Sequence, residues 1–285
     1  RTFETLASWD IPLSAAAVSL MPDTISYTKD DSVVDVGLHT EPNLEAIAAA
    51  EPDLVINGQR FSQHQDAITE LVPDATVIDL EPREGKPFDE ELIRQTTALG
   101  EIFGKQDEAA VLVDEFEASI ERVKAAYDPA ETVMSVTTTG GEIGYIAPSV
   151  GRTFGPLYDV FGLTPALDVA DAGSGDQGDD ISVEAIAASN PNWMLVMDRD
   201  AAVAADDPGY SPAADILENS EALANVPAVQ NSQIVYLPAD AYTNESIQTY
   251  TEFFNAFADA LEAQAFAVLA VRSLKGLPIT YPGTT

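Results

Sequence analysis

Residues 44–60 read LEAIAAAEPDLVINGQR, and residues 183–199 repeat that pattern as VEAIAASNPNWMLVMDR. The two stretches align without gaps, and seven of their seventeen positions are identical. Each stretch is typical of an alanine-rich helix, a proline turn and a buried strand, followed just beyond the strand by an arginine, Arg60 or Arg199. Two such units, 139 residues apart, predict two similar α/β lobes.

Apolar runs and helical periodicity alternate along the chain, which predicts an α/β fold with largely parallel sheets. Short buried strands are expected at residues 53–57, 76–80, 132–137, 144–147, 193–197 and 233–237. The clearest helix covers residues 105–127, where apolar side chains recur at three- and four-residue spacing. We therefore expect an N-terminal lobe over residues 1–104, a linker helix over residues 105–127 and a C-terminal lobe over residues 128–264.

The repeated arginines follow strands, and ligands of open α/β sheets bind beyond the carboxyl ends of strands. If the two lobes face each other, Arg60 and Arg199 both point into one cleft. One alternative is that alanine-rich units resemble one another through shared packing needs. For each arginine, the alternative is a salt bridge with one of the 48 acidic side chains.

Composition excludes several classes of function. With 13 basic and 48 acidic side chains the formal net charge is −35, which repels nucleic acid, and the acidity is interpreted as a solvated surface. The chain has no cysteine and two histidines, His39 and His64, which argues against disulfides, cysteine nucleophiles and histidine-rich metal centres. No G-x-S-x-G or P-loop motif is present, so we expect no catalysis, with a carboxylate-dependent hydrolase as the enzymatic alternative.

The sequence also allows expectations about membrane spans and an export signal. No uninterrupted apolar run reaches the roughly 20 residues that span a bilayer, so the sequence predicts a soluble protein. Arg1 opens directly into helix-like sequence, which suggests a mature or trimmed chain without its export signal.

Residues 31–47 read DSVVDVGLHTEPNLEAI and residues 51–56 read EPDLVI. In the second half, GRTFGPLYDVFG at residues 151–162 precedes DISVEAI at residues 180–186 and VMDR at residues 196–199. Together these motifs resemble the iron-siderophore and vitamin B12 class of ABC-transporter substrate-binding proteins, particularly its ferric-catecholate branch. The resemblance covers about residues 1–264 and implies two Rossmann-like lobes joined by a long α-helix, the class III architecture.

This resemblance implies a ferric siderophore as the ligand and an ABC permease as the partner, with no intrinsic cofactor. The basic ligand-contacting positions of the catecholate branch match Arg60, Arg152 and Arg199. A ferric tris-catecholate carries about three negative charges, and guanidinium offers it a permanently charged fork of donors. Haem or a cobalamin is the alternative ligand, although neither obviously needs three arginines.

Tyr242 resembles the position where some members supply a tyrosine to iron. Those members pair the tyrosine with a histidine in the preceding second-lobe loop, where GSGDQG at residues 173–178 offers only Asp176 or Gln177. We therefore expect a fully chelated complex, with Tyr242 as a contact and a candidate iron ligand. Aromatic packing on the ligand by Tyr145, Phe154 or Tyr158 is weighed against a core position for each.

Glu45 and Glu184 occupy equivalent positions near the starts of the repeated helices. In this class of proteins, matching glutamates dock onto permease arginines. The alternative is that each glutamate stabilises its own helix through the helix dipole. The resemblance further implies a monomer outside the cytoplasm, in the periplasm or lipid-anchored.

The tail at residues 265–285 matches nothing in this family. Read from Thr285 back to Ala265, it looks like the strands that open such lobes and that are missing before Arg1. We therefore expect it to be the N-terminal segment numbered in inverted order, with a strand at residues 265–271 in the N-terminal lobe. A continuous forward chain through Gln264 and Ala265 contradicts this expectation.

Overall fold

The computed structural model describes residues 1–175 and 177–275. Contacts divide the chain into two compact units. The first comprises Arg1–Asp114 and Ala239–Thr249, and the second comprises Glu115–Pro238 and the segment that begins at Tyr250.

The first part of the chain, as far as Ala126, alternates short strands and helices. In order these are α1 (Phe3–Ser8), β1 (Ala15–Ala16), β2 (Val34–Asp35), α2 (Leu44–Ala49), β3 (Leu54–Asn57), α3 (Gln65–Leu71), β4 (Thr76–Asp79), α4 (Phe88–Phe103) and α5 (Gln106–Ala126). Three 3₁₀ helices lie between them, at Val18–Leu20, Ser26–Lys29 and Gln59–His64.

The second part of the chain carries the larger sheet. Its elements are β5 (Thr132–Thr139), β6 (Glu142–Ile146), α6 (Gly155–Phe161), β7 (Thr164–Pro165), α7 (Val183–Ala188), β8 (Trp193–Asp198), α8 (Arg199–Val203), α9 (Ala213–Glu218), α10 (Pro227–Gln230), β9 (Ile234–Tyr236) and α11 (Ile247–Leu274).

The first unit contains two pairs of parallel strands. β1 pairs with β2, and β3 pairs with β4 from Leu54 opposite Thr76 to Asn57 opposite Asp79. Successive side chains of a strand point to opposite faces, so this pair packs on both sides. Ile56 contacts a cluster around Leu6, Trp9 and Leu99, whereas Val55 contacts a second cluster around Ile47 and Ile68.

The sheet of the second unit has the order β6-β5-β8-β9, and β7 also pairs with β5. Its pairs are parallel except for β6, which runs antiparallel to β5 in a hairpin. β8 is buried along all of its length except Asp198, because helices and apolar loops cover both faces. On one face Trp193 packs edge-on against Phe257 of α11, with ring centroids 5.7 Å apart.

The six strands expected between residues 53 and 237 are confirmed, with ends that differ by one or two residues. The sequence analysis missed β1, β2 and β7, because a two-residue strand is too short to show a period. The long helix is confirmed as α5, and contacts assign its residues up to Asp114 to the first unit and the rest to the second. Its role as a linker stays a prediction.

Helices α4 and α5 approach each other closely at a glycine. A Cβ added at Gly100 would lie 2.6 Å from the Cβ of Ala109, so only glycine fits at this point. Gly104 ends α4 in the left-handed conformation, with φ of 66°. The turn therefore allows the start of α5 to pack directly against the end of α4.

The expected strand at residues 265–271 is wrong, and with it the inverted numbering. α11 runs forward without a break through Gln264 and Ala265, and the amide of Lys275 donates to the Val271 carbonyl at 3.1 Å. The physical reason is composition, since three of the seven residues are alanine, the strongest helix former. Residues 276–285 lie outside the described residues.

By length and composition alone, α11 is long and apolar enough to cross a membrane, although charged and polar residues interrupt its apolar stretch. Phe253, Phe254 and Phe257 in its first half are buried in the core, but only 22% of its most apolar stretch is buried. Beyond Gln264 the helix is exposed, and Phe266 is 70% exposed.

A buried carboxylate fixes the loop that enters α4. Glu91 is 1% exposed, and its oxygens accept hydrogen bonds from Arg83 Nη2 at 2.5 Å and Arg94 Nε at 2.8 Å. Hydrogen bonds from Arg83 are the main reason that the pKa of Glu91 is lowered to about 2. Because the pKa is lowered in the folded state, this carboxylate stabilises the protein above its ordinary pKa, and the stabilisation is lost as pH falls from about 5 toward 2.

Glu91→Gln is therefore expected to lower the free energy of unfolding at pH 7 by about 2 kcal/mol, the scale of hydrogen bonds to a charged group. Urea denaturation at pH 7 and at pH 3 measures it, with the exposed neighbour Glu90→Gln as the control. The difference between wild type and Glu91→Gln should shrink at pH 3. A difference that does not change with pH would contradict the role of this charge.

Candidate ligand-binding site

The sequence repeat is also a repeat of local structure. Asn43 accepts a hydrogen bond from the Ala46 amide at 3.1 Å and so caps α2. Ser182 caps α7 in the same way, through the Ala185 amide at 3.2 Å. Each helix is followed by a residue in the left-handed region, Glu51 with φ of 45° and Asn190 with φ of 55°. In both units, the connection from the helix to the following strand therefore has the same backbone conformation.

The two arginines lie in different elements after their strands. β3 ends at Asn57, and Arg60 lies in the 3₁₀ helix Gln59–His64 that follows. β8 ends at Asp198, and Arg199 is the first residue of α8. Both arginines lie beyond the carboxyl end of a parallel strand, as the sequence predicts.

A strained turn places Arg60. Gln59, directly before it, has φ of 51°, in the left-handed region that a side chain disfavours. Its amide donates to Glu81 Oε2, and its side-chain amide donates to Glu245 at 3.2 Å. These hydrogen bonds compensate for the strain, so the start of the 3₁₀ helix is fixed.

The guanidinium of Arg60 contacts two aromatic side chains of the first unit. Nη1 lies 3.3 Å from Nε2 of His39, and Nη2 donates to the hydroxyl of Tyr242 at 3.3 Å. Tyr242 is 9% exposed, while His39 and Arg60 are half-buried. The structure thus brings together two residues predicted for the site, Arg60 and Tyr242, and adds His39 to them.

The segment that carries Tyr242 is held by α1. Glu4 accepts hydrogen bonds from Asn244 at 3.0 Å, from Thr249 at 3.3 Å and from the hydroxyl of Ser246. The sequence analysis placed these residues in the C-terminal lobe, whereas contacts assign Ala239–Thr249 to the first unit. Tyr242 therefore shares a unit with Arg60.

Arg199 is fixed by acidic neighbours. Its Nη1 lies 3.3 Å from Oδ1 of Asp200, and Oδ2 of Asp200 accepts a hydrogen bond from the Gly140 amide at 2.5 Å. Asp198 accepts the hydroxyl of Tyr210 at 2.9 Å, and burial, followed by this carboxylate, raises the pKa of Tyr210 to about 12. Arg199 therefore has the carboxylate partner that the sequence analysis weighed as an alternative to a ligand contact.

Arg152 lies in the loop between β6 and α6. Thr153 beside it has φ of 67°, and Gly151 packs so closely that a Cβ would lie 2.5 Å from Ile146 Cγ2. β6 runs antiparallel to β5 and ends opposite Ser135, whereas β8 ends opposite Thr138. The convergence of Arg152 with Arg199 and Arg60 stays a prediction.

Other candidates from the sequence are placed as follows. Tyr145, Phe154 and Tyr158 are buried core residues, at most 5% exposed. Asp176 lies outside the described residues. Glu45 and Glu184 are both exposed in the first turns of α2 and α7, so each carboxylate is accessible.

Sequence reasoning missed His39 as part of the site, together with Glu4 and Glu81, which hold the segments around it. His39 lies within the motif at residues 31–47 and is one of only two histidines, and this was the available signal. Glu4 and Glu81 gave none, because they are two of 48 acidic residues and their contacts are distant in sequence.

The sequence matches the family profile described as Periplasmic binding protein over residues 1–241. The chain belongs to this family. The petrobactin-binding protein YclQ of Bacillus subtilis is 27% identical over 246 residues, which cover 85% of this chain and 74% of YclQ. The ferric-anguibactin-binding protein FatB of Vibrio anguillarum is 26% identical over 241 residues, which cover 82% of this chain and 70% of FatB.

Solved structures of this family agree with the fold. The crystal structure of YclQ has a TM-score of 0.75 at 25% identity and covers 92% of this chain and 89% of its own. A TroA-like periplasmic binding protein from Xylanimonas cellulosilytica has a TM-score of 0.75 at 27% identity, covering 91% of this chain and 85% of its own. The class III fold expected from the sequence is thereby confirmed.

Matches to enzymes are short. A segment of 28 residues is 75% identical to an anhydro-N-acetylmuramic acid kinase of Rhodopseudomonas palustris and covers 8% of that enzyme. This share is too small to carry a kinase activity over. YclQ and FatB, which match most of the chain, are binding proteins by name.

Gly151→Ala is expected to lower the free energy of unfolding by roughly 2 kcal/mol, the cost of overpacking a tight site. The added methyl group would meet Ile146 Cγ2 at 2.5 Å and the Ala147 carbonyl oxygen at 2.6 Å. Gly209→Ala is the matched control, since a Cβ there meets no atom within 4 Å. Equal denaturation midpoints for the two variants would show that the loop of Arg152 adapts freely.

Proposed function

We propose that this protein binds a ferric siderophore of anionic catecholate type and delivers it to an ABC-type permease for iron uptake. The observation that carries the proposal is the similarity to a petrobactin-binding protein, YclQ, and a ferric-anguibactin-binding protein, FatB, over more than four fifths of the chain. The permanently charged arginines beyond the strands support an anionic ligand.

In this proposal Arg60, Arg152 and Arg199 donate to the catecholate oxygens. Arg60 contacts His39 and Tyr242 through its two terminal nitrogens, so its guanidinium is oriented before a ligand arrives. Arg199 must share its charge with Asp200, which weakens its individual contribution.

Tyr242 serves as a contact of the bound complex through its hydroxyl. Its side chain is 9% exposed and already accepts a hydrogen bond from Arg60, so it is oriented before the ligand arrives. Direct coordination of iron by Tyr242 would require loss of its phenol proton. The phenolate would then compete with the oxygens of the siderophore for the iron. A chelate that already fills the coordination sphere of iron therefore fits better than bare iron.

Fluorescence titration of the full chain tests ligand class, with a synthetic tripodal tris-catecholamide of Fe(III), a neutral ferric trihydroxamate and haem as the three probes. Trp9 and Trp193 are buried and report a bound chromophore by quenching. Quenching by the tris-catecholamide that saturates at micromolar concentration or below, with clearly weaker binding of the trihydroxamate and of haem, supports the proposal. Saturable binding of haem alone, or of none of the three, would contradict it.

Arg60→Ala is expected to weaken binding of the trianionic complex by about tenfold or more, because it removes charge-assisted hydrogen bonds. Binding of the neutral trihydroxamate should change by less than about twofold. Lys86→Ala, an exposed cation of the same unit, is the control for net charge. Equal losses for both probes would mean that Arg60 has only a structural role.

We further propose that Glu45 and Glu184 dock the protein onto its permease. Both are exposed, and both lie in the first turn of a helix that repeats in the two units. The protein would act as a monomer outside the cytoplasm, where a permease can receive its cargo.

The variant Glu45→Ala with Glu184→Ala should bind the chelate as wild type does but lower iron uptake at least about fivefold in cells that carry the cognate permease. Radioactive iron supplied as the tris-catecholamide measures uptake. Glu101→Ala, an exposed glutamate of α4, is the control. Wild-type uptake by the double variant would show that these glutamates only stabilise their helices.

A further inference from the structure

The guanidinium of Arg60 is held at both of its terminal nitrogens. His39 lies at Nη1 and Tyr242 at Nη2, each at 3.3 Å. An arginine side chain has many rotamers, and fixing it costs conformational entropy when a ligand binds. Contacts at both ends remove part of that cost before the ligand arrives.

The contact with His39 defines which imidazole nitrogen carries the proton. Guanidinium has only donors, so Nε2 of His39 must accept the hydrogen bond from Arg60. The proton of the neutral ring then lies on Nδ1. A leucine side chain cannot replace this acceptor, whereas the amide oxygen of a glutamine can.

The backbone of His39 is tied to the same 3₁₀ helix that carries Arg60. The carbonyl of His39 accepts a hydrogen bond from Nε2 of His64 at 2.7 Å and from Nε2 of Gln63 at 3.3 Å. Both donors belong to Gln59–His64. The imidazole and the guanidinium are therefore positioned by one short element, whose start is fixed by Glu81.

We infer that His39 is a positioning residue of the binding site: its imidazole Nε2 orients the guanidinium of Arg60 toward an anionic ferric chelate. The inference rests on the proposed function for its ligand and deepens it, because it assigns the preference for anionic over neutral chelates to a pair of residues. His39 acts through Arg60, so its effect on affinity vanishes when Arg60 is removed.

Binding is measured on the full chain with the Fe(III) tris-catecholamide and the neutral ferric trihydroxamate. His39→Leu weakens binding of the trianionic probe about fivefold, the scale of one hydrogen bond, and leaves the neutral probe within about twofold. His39→Gln, which restores an acceptor, stays within about twofold of wild type for both probes. Thr40→Leu, an exposed neighbour, is the matched control for added apolar surface.

A double-mutant cycle tests whether His39 acts through Arg60. In an Arg60→Ala background, His39→Leu should cause no further loss of affinity for the tris-catecholamide. The same loss in both backgrounds would overturn the inference, because His39 would then contact the chelate itself or act only on stability. A loss in His39→Gln as large as in His39→Leu would overturn it too.

Nitrogen-15 NMR of the histidine and arginine side chains tests the geometry without any chelate. The wild type should show His39 as the Nδ1–H tautomer, and the Arg60 guanidinium signals should broaden or shift in His39→Leu but not in His39→Gln. If wild type binds no ferric chelate but shows these signals, the proposed function fails and the positioning role stands. If His39 is the Nε2–H tautomer, the positioning role fails whatever the chain binds.

Discussion

Parallel pairing of β3 with β4, and of β8 with β5 and β9, obliges the chain to return across each sheet before it can add the next strand. Helices fill those returns, and each strand ends at an edge where the chain must turn. Arg60 and Arg199 lie in two of these turns. The same constraint therefore produces the repeated helix-turn-strand unit and the placement of its arginines, which is why the sequence repeat and the candidate site coincide.

The two repeated arginines have different contacts. Arg199 lies 3.3 Å from Asp200, so part of its charge is already compensated. Arg60 contacts the imidazole of His39 and the hydroxyl of Tyr242, each at 3.3 Å, and these contacts orient its guanidinium. In a protein of net charge −35 the overall field repels a polyanion, so the proposed anionic ligand would have to be attracted locally, by arginines such as these.

The segment Ala239–Thr249 shows how distant contacts complete the site. Glu4 of α1 accepts hydrogen bonds from three side chains of this segment, and the hydroxyl of Tyr242 lies 3.3 Å from Arg60. The residues concerned are up to 245 positions apart in the chain. This set of hydrogen bonds leaves no local pattern in the sequence, because glutamate is common in this chain and its partners are ordinary polar residues.

The sequence by itself determined the strands of the repeat, the long helix α5 and the positions of Arg60 and Arg199 beyond their strands, because these follow from local periodicity and turn chemistry. Only the tertiary structure decided that Tyr242 shares a unit with Arg60 and that residues 265–274 are helical. It also decided that His39 contacts Arg60. Such contacts depend on where remote segments pack, and the run at residues 265–271 is helical as the continuation of α11, whose first half packs in the core.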